Sequence, residues 1–243
     1  MADTRIHLCG RLVARIDGER VESALPGRQG RLLFAYLALA RARPTTREEL
    51  TLALWPGEQP SATDSALSAL LSKLRRVVPL ESRSELRLAL PDAAWIDVEA
   101  AREALHRSEA AIARDDWTEA WGAGRVTQHI AARELLPGEE APWIEDQRRE
   151  LEELYLRSLE LVGRASVEIG GGELGTAERC GRRLTARAPY RESGYRLLME
   201  VLWTLGNGAE ALLVYDELRR RLRDELGIAP SPLTQAIYKR LLA

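Results

Sequence analysis

Short alternations of apolar and polar residues open the chain. Residues 5–9, 12–16 and 19–22 alternate over four or five positions, and Gly10 and Asp17-Gly18 punctuate them. That pattern predicts brief strands joined by tight turns. After Pro26-Gly27 the period changes. Leu32, Leu33, Tyr36, Leu37 and Ala40 share one face of a helix that Pro44 ends. Thr45 or Thr46 can cap a second helix, with Glu48 and Glu49 in its first turn and Leu50, Ala53 and Leu54 facing inward. Trp55-Pro56-Gly57 stops it. A third helix is predicted over residues 61–78, with Leu67, Leu70, Leu71, Leu74 and Val78 as its apolar stripe. Residues 85–90 alternate as a strand, Pro91-Asp92 turn, and residues 94–96 are expected to return as its partner. Strands, three helices and a hairpin, in that order, are the layout of a winged helix-turn-helix with an N-terminal sheet.

From Asp97 onward the periodicity is helical throughout. Asp97 caps one helix, Asp115-Asp116 start another, and a long one is predicted over residues 142–169. Shorter helices are expected over 173–187, 190–205, 208–226 and 231–242, broken at Pro189, Gly206-Asn207-Gly208 and Pro230-Ser231-Pro232. Glycine-ended helices followed by Ala-Glu recur at a spacing typical of tetratricopeptide helix pairs, although the strict signature of that repeat is absent. Trp143, Leu151, Leu198, Leu202, Leu212 and Leu218 lie on the apolar stripes and are the expected core of this part. The fold class is therefore mainly α with a small β part. Residues 1–95 are expected to form the winged helix and residues 96–243 an all-helical, tetratricopeptide-like domain.

Composition narrows the chemistry. The 243 residues include only Cys9 and Cys180, so neither a disulfide framework nor a four-cysteine zinc site is possible, and a reducing cytoplasm is the expected setting. No apolar run approaches the roughly 20 residues of a spanning helix, and the N-terminus has no apolar signal region. No membrane association is expected. His7, His106 and His129 are scattered, and no paired carboxylates or nucleophile motif stands out, so neither an enzyme nor a metal or cofactor site is predicted. Gly170 to Gly175 formally match GxGxxG. A dinucleotide loop must follow a strand, however, and these glycines follow a helix, so they predict a helix cap and turn. The net charge of −2 conceals a split: residues 1–95 carry 14 Lys/Arg against 11 Asp/Glu. Any nucleic-acid contact is expected in that basic part.

The polar face of the 61–78 helix is the informative one. Ser65, Ser68, Ala69 and Ser72 are small enough to let a helix enter a major groove about 12 Å wide, and Lys73 and Arg76 extend the same face. Those six residues are the candidate base-facing set. Arg47, Arg75, Arg83 and Arg87 are the candidate phosphate contacts.

Several stretches also resemble a known family. Gly27-Arg28-Gln29-Gly30-Arg31-Leu32-Leu33, Thr46-Arg47-Glu48-Glu49-Leu50, Leu54-Trp55-Pro56 and Leu71-Ser72-Lys73-Leu74-Arg75-Arg76 are similar to the OmpR-like winged helix of the Streptomyces antibiotic regulatory protein family. Trp143-Ile144-Glu145, Arg148, Leu151, Leu197-Leu198-Met199, Glu210-Ala211-Leu212 and the run from Leu222 to Ser231 resemble the bacterial transcriptional activator domain that follows it there. The resemblance implies a sequence-specific activator that binds direct repeats in duplex DNA as a side-by-side homodimer and contacts RNA polymerase. Two other readings fit the residues: an adaptor whose winged helix has lost DNA binding, and a regulator gated by a small effector among the C-terminal helices.

Overall fold

β1 (Arg5–His7) and β2 (Val13–Ile16) pair antiparallel, with Ile6 opposite Ala14 and both side chains buried. The structure, a computed structural model, describes residues 3–57, 62–82 and 86–242. β3 (Glu19–Arg20) returns along β2 through a two-residue turn in which Asp17 and Gly18 both take positive φ, 52° and 87°. Asp-Gly is among the pairs that favour this geometry. Three helices follow: α1 (Gly27–Leu39), α2 (Arg47–Leu54) and α3 (Thr63–Leu74). Of the two candidate caps, Thr46 takes the role at α2, its hydroxyl accepting the Glu49 N–H at 3.1 Å.

The hairpin differs from its expected pairing. β5 (Leu86–Leu88) pairs with β4 (Leu80–Ser82), and β6 (Trp95–Ile96) instead joins the first sheet beside β1, in parallel. Leu86 and Leu88 are buried, and Leu86 exchanges backbone hydrogen bonds with Thr45 at the entry to α2. The physical reason for β6's placement is Asp97. Its buried carboxylate accepts the N–H groups of Leu8 (2.9 and 3.0 Å) and Cys9 (2.9 Å), which fixes the end of β6 against the end of β1. α3 also ends earlier than expected. Arg76 and Val77 donate to carbonyls three residues back, and Pro79 disfavours the helical conformation at Val78.

The remaining helices are α4 (Asp97–Ile112), α5 (Trp117–Ala131), α6 (Pro142–Ile169), α7 (Leu174–Arg187), α8 (Glu192–Thr204), α9 (Gly208–Arg221) and α10 (Pro232–Leu242). α9 runs on into a π-helical turn, Leu222–Leu226, that Gly227 closes in the left-handed conformation. Gly170 and Gly171, at φ 72° and 54°, end α6. The GxGxxG match is thus the helix cap and turn that its preceding helix predicts.

Contacts divide the chain into two units whose segments interleave. One comprises Met1–Ala100 with Ile130–Leu151, and the other Ala101–His129 with Glu152–Ala243. The first unit takes in the 130–151 segment through backbone bonds from Gly10 N to Glu134 O (2.7 Å) and from Leu136 N to Leu8 O (2.9 Å). Arg148 then holds that segment together by donating to the carbonyls of Leu135, Leu136 and Glu139, while pairing with Glu134 and Glu145. Leu136 sits at φ 44°, a strained conformation for a leucine, and these bonds on both sides hold it there.

In the second unit Leu198, Leu202 and Leu218 are buried in one cluster with Tyr195, Met199, Val201 and Tyr215, and Leu212 packs against it. Trp143 and Leu151, expected in this core, belong to the first unit instead. α6 carries one continuous apolar stripe, and periodicity alone does not say which partner each stretch of it meets.

Candidate nucleic-acid interface

α3 buries Leu67, Leu71 and Leu74 and turns its other side to solvent. Ser65, Ser68, Ala69, Ser72, Lys73 and Arg76 are all exposed, so the structure brings the whole expected base-facing set onto one surface. Positions 65, 68, 69, 72 and 76 follow the i, i+3, i+4, i+7, i+11 spacing of a single helical stripe. The first five lie on or at the end of the regular helix, and Arg76 lies in the turn just beyond it. Asp64 occupies the first turn, where a negative charge complements the helix dipole.

The flanking arginines occupy different settings. Arg47, the first residue of α2, reaches across to α3 and donates to the Ser68 hydroxyl at 2.7 Å and the Asp64 carbonyl at 3.3 Å. Arg75 is exposed beside Arg76. Arg87 is exposed on β5, opposite Glu81. Arg83 lies outside the described residues.

A polar cluster that residue patterning did not single out ties α1 to α2. The Tyr36 hydroxyl on α1 donates to Glu49 Oε1 on α2 at 2.5 Å, and Arg43 clasps the same carboxylate with both guanidinium nitrogens. Hydrogen bonding from Arg43 holds the Glu49 carboxyl down at about 2. Burial, reinforced by Glu49, pushes the Tyr36 hydroxyl up. The stabilisation from an ionised Glu49 is therefore complete above the ordinary carboxylate value and is lost as pH falls toward 2. We expect Glu49→Gln to be less stable than the parent at neutral pH, and the gap to narrow by more than half on acidification to about pH 3. Urea denaturation at the two pH values checks this; an equal gap at both would show that Glu49 carries no such linkage.

The last turn of α2 is closed from outside. The Ala53 carbonyl accepts the Trp143 indole N–H at 3.1 Å, and the Leu54 carbonyl accepts the Gln29 side-chain amide at 3.4 Å. The Tyr36 and Trp143 rings meet edge to face, with centroids 5.2 Å apart. Among the described residues, no group of three or more His, Cys, Asp or Glu side chains could hold a metal ion, and no helix is long and apolar enough to cross a membrane.

A winged helix-turn-helix is here combined in one chain with a tetratricopeptide-like helical repeat. A model of the bacterial transcriptional activator domain matches residues 96–242. The regulatory protein AfsR of Streptomyces coelicolor is 34% identical over 243 residues, covering 98% of this chain and 24% of that protein. The transcriptional regulatory protein EmbR of Mycobacterium tuberculosis is 27% identical over 255 residues, covering 97% of this chain and 62% of its own. A solved structure of Mycobacterium tuberculosis EmbR in complex with a low-affinity phosphopeptide superposes with a TM-score of 0.85 at 23% identity, over 99% of this chain and 65% of that one. The chain belongs to the bacterial transcriptional activator domain family. It spans about a quarter of the length of the AfsR relatives it matches.

Proposed function

We propose that the protein is a sequence-specific DNA-binding activator whose N-terminal unit inserts α3 into the major groove. The observation that carries this is the face of α3 itself: small residues exposed along its length, two cations at its C-terminal end, and Leu67, Leu71 and Leu74 buried on the opposite side. A winged helix presents its recognition helix in this way, and small side chains let the backbone approach base edges. Ser72, Lys73 and Arg76 read bases, with Arg75 and Arg87 on flanking phosphates. Two copies bind side by side on direct repeats, and the helical unit contacts RNA polymerase, as the family membership supports.

Fluorescence anisotropy across a salt series tests the reading, using a duplex selected from genomic fragments and its scrambled counterpart. Lys73→Ala or Arg76→Ala should cost about 1–3 kcal/mol on the selected duplex and little on the scrambled one. Arg87→Ala should weaken both and reduce the log–log salt slope by roughly one. Salt-independent behaviour with every duplex would sink the DNA reading and favour the adaptor.

A further inference from the structure

We infer that Trp143 is a positioning residue for α3, acting through the C-terminal turn of α2; the inference rests on the DNA-binding reading only for its effect on affinity. The last four carbonyls of a helix have no partner inside it, and whatever satisfies them sets the direction in which the chain leaves. In α2 the Thr51 carbonyl accepts the backbone N–H of Trp55, Gln29 serves Leu54, and the Trp143 indole serves Ala53. Trp143 stands on the first turn of α6, ninety residues further along the chain, yet it closes the turn from which the chain departs toward α3.

The indole is itself held. Its ring meets Tyr36 edge-on, Tyr36 is fixed by its hydrogen bond to Glu49, and Glu49 is clasped by Arg43. Ile144, the next residue of α6, is fully buried, and Arg148 one turn on anchors the segment leading into the helix. Trp143 thus has one donor, one acceptor in reach and little freedom to leave it. At the other end of the relay Arg47 crosses from α2 to Ser68, so displacement of α2 reaches the candidate reading face directly. The tryptophan of the activator-domain motif therefore serves the winged helix, through a single N–H.

Trp143→Phe removes that N–H and keeps an aromatic ring beside Tyr36. Ile16→Val, a mild change in the sheet, is the control for general loss of stability. In the DNA-free protein, amide hydrogen exchange should quicken at Leu54, Trp55, Ala66 and Leu67 in Trp143→Phe and not in Ile16→Val. Affinity for the selected duplex should fall by about two- to tenfold, the worth of one hydrogen bond, with the salt slope unchanged because the phosphate contacts are the same. Unchanged exchange at those amides, or exchange that rises evenly over the unit, overturns the inference. So does a wild type that binds the duplex and a Trp143→Phe protein that binds it equally well. A wild type that binds no duplex sinks the DNA reading alone, and the exchange result then decides whether Trp143 positions α3.

Discussion

Asp97→Ala should destabilise the N-terminal unit by about 3–5 kcal/mol, because it strips three buried N–H groups of their acceptor at once. Leu8, Cys9 and Val98 all donate to this carboxylate at 2.9–3.0 Å, and none of the residues involved reaches solvent to any useful extent. Asp97→Asn should fall between the two, since one acceptor oxygen survives while the amide N–H₂ meets donors. Urea unfolding of the three proteins measures the series; an alanine variant within about 1 kcal/mol of the parent would mean that water replaces the carboxylate. Burial also pushes the Asp97 carboxyl up, despite its backbone partners and His7. Between the unfolded and the raised native value the folded chain keeps a proton that the unfolded chain has released. Stability from this group therefore declines as pH rises through that window, the opposite sign to Glu49.

Asp97 also marks where patterning stops being informative. Its place as a helix start was legible, because an acidic residue before a periodic run is a local signal. Its three bonds to the end of β1 were not, since nothing local records a partner 89 residues away. The same limit explains β6. Alternation at residues 94–96 identified a strand but not its neighbour, and the nearer hairpin was the natural guess. β4 is only three residues long and follows Pro79, so it left no alternation to find. The exposed face of α3 was legible because leucines at 67, 71 and 74 fix the buried side and leave the serines outside. Arg47 and Trp143 were visible as residues, and their roles in bridging elements were not, because each depends on a contact made across the fold.

Leu202→Ala should cost the helical unit about 3–5 kcal/mol, the upper part of the range for a buried leucine. Leu202 is wholly buried in the cluster shared by α8 and α9, among Tyr195, Leu198 and Leu218. What raises the cost is that its surroundings cannot close on the gap. α7 and α8 already touch through glycines: a Cβ on Gly194 would lie 2.8 Å from Leu184 Cβ, and one on Gly181 would lie 3.0 Å from Leu198 Cβ. Backbones that are already in contact have no room to approach further, so the cavity persists. Leu213→Ala, at a side chain 63% exposed on α9, is the control and should stay within about 0.5 kcal/mol of the parent. Thermal and urea unfolding of the pair provide the check. Equal effects from the two would show that the helical stripe has been assigned to the wrong side.

The interleaving of the two units has a consequence for how the protein is born. A chain emerging from the ribosome completes the sheet, the three helices and the hairpin well before residues 130–151 exist. Until that segment arrives, Gly10 N and Leu8 O lack their partners at Glu134 and Leu136, and the Ala53 carbonyl has no indole. Translation from Ala100 to Leu151 takes about 3–10 s at ordinary rates, long compared with the folding of small domains. The nascent winged helix therefore waits, partly formed, for chain that is made later. A product that stops in that interval lacks the braces of its own first unit.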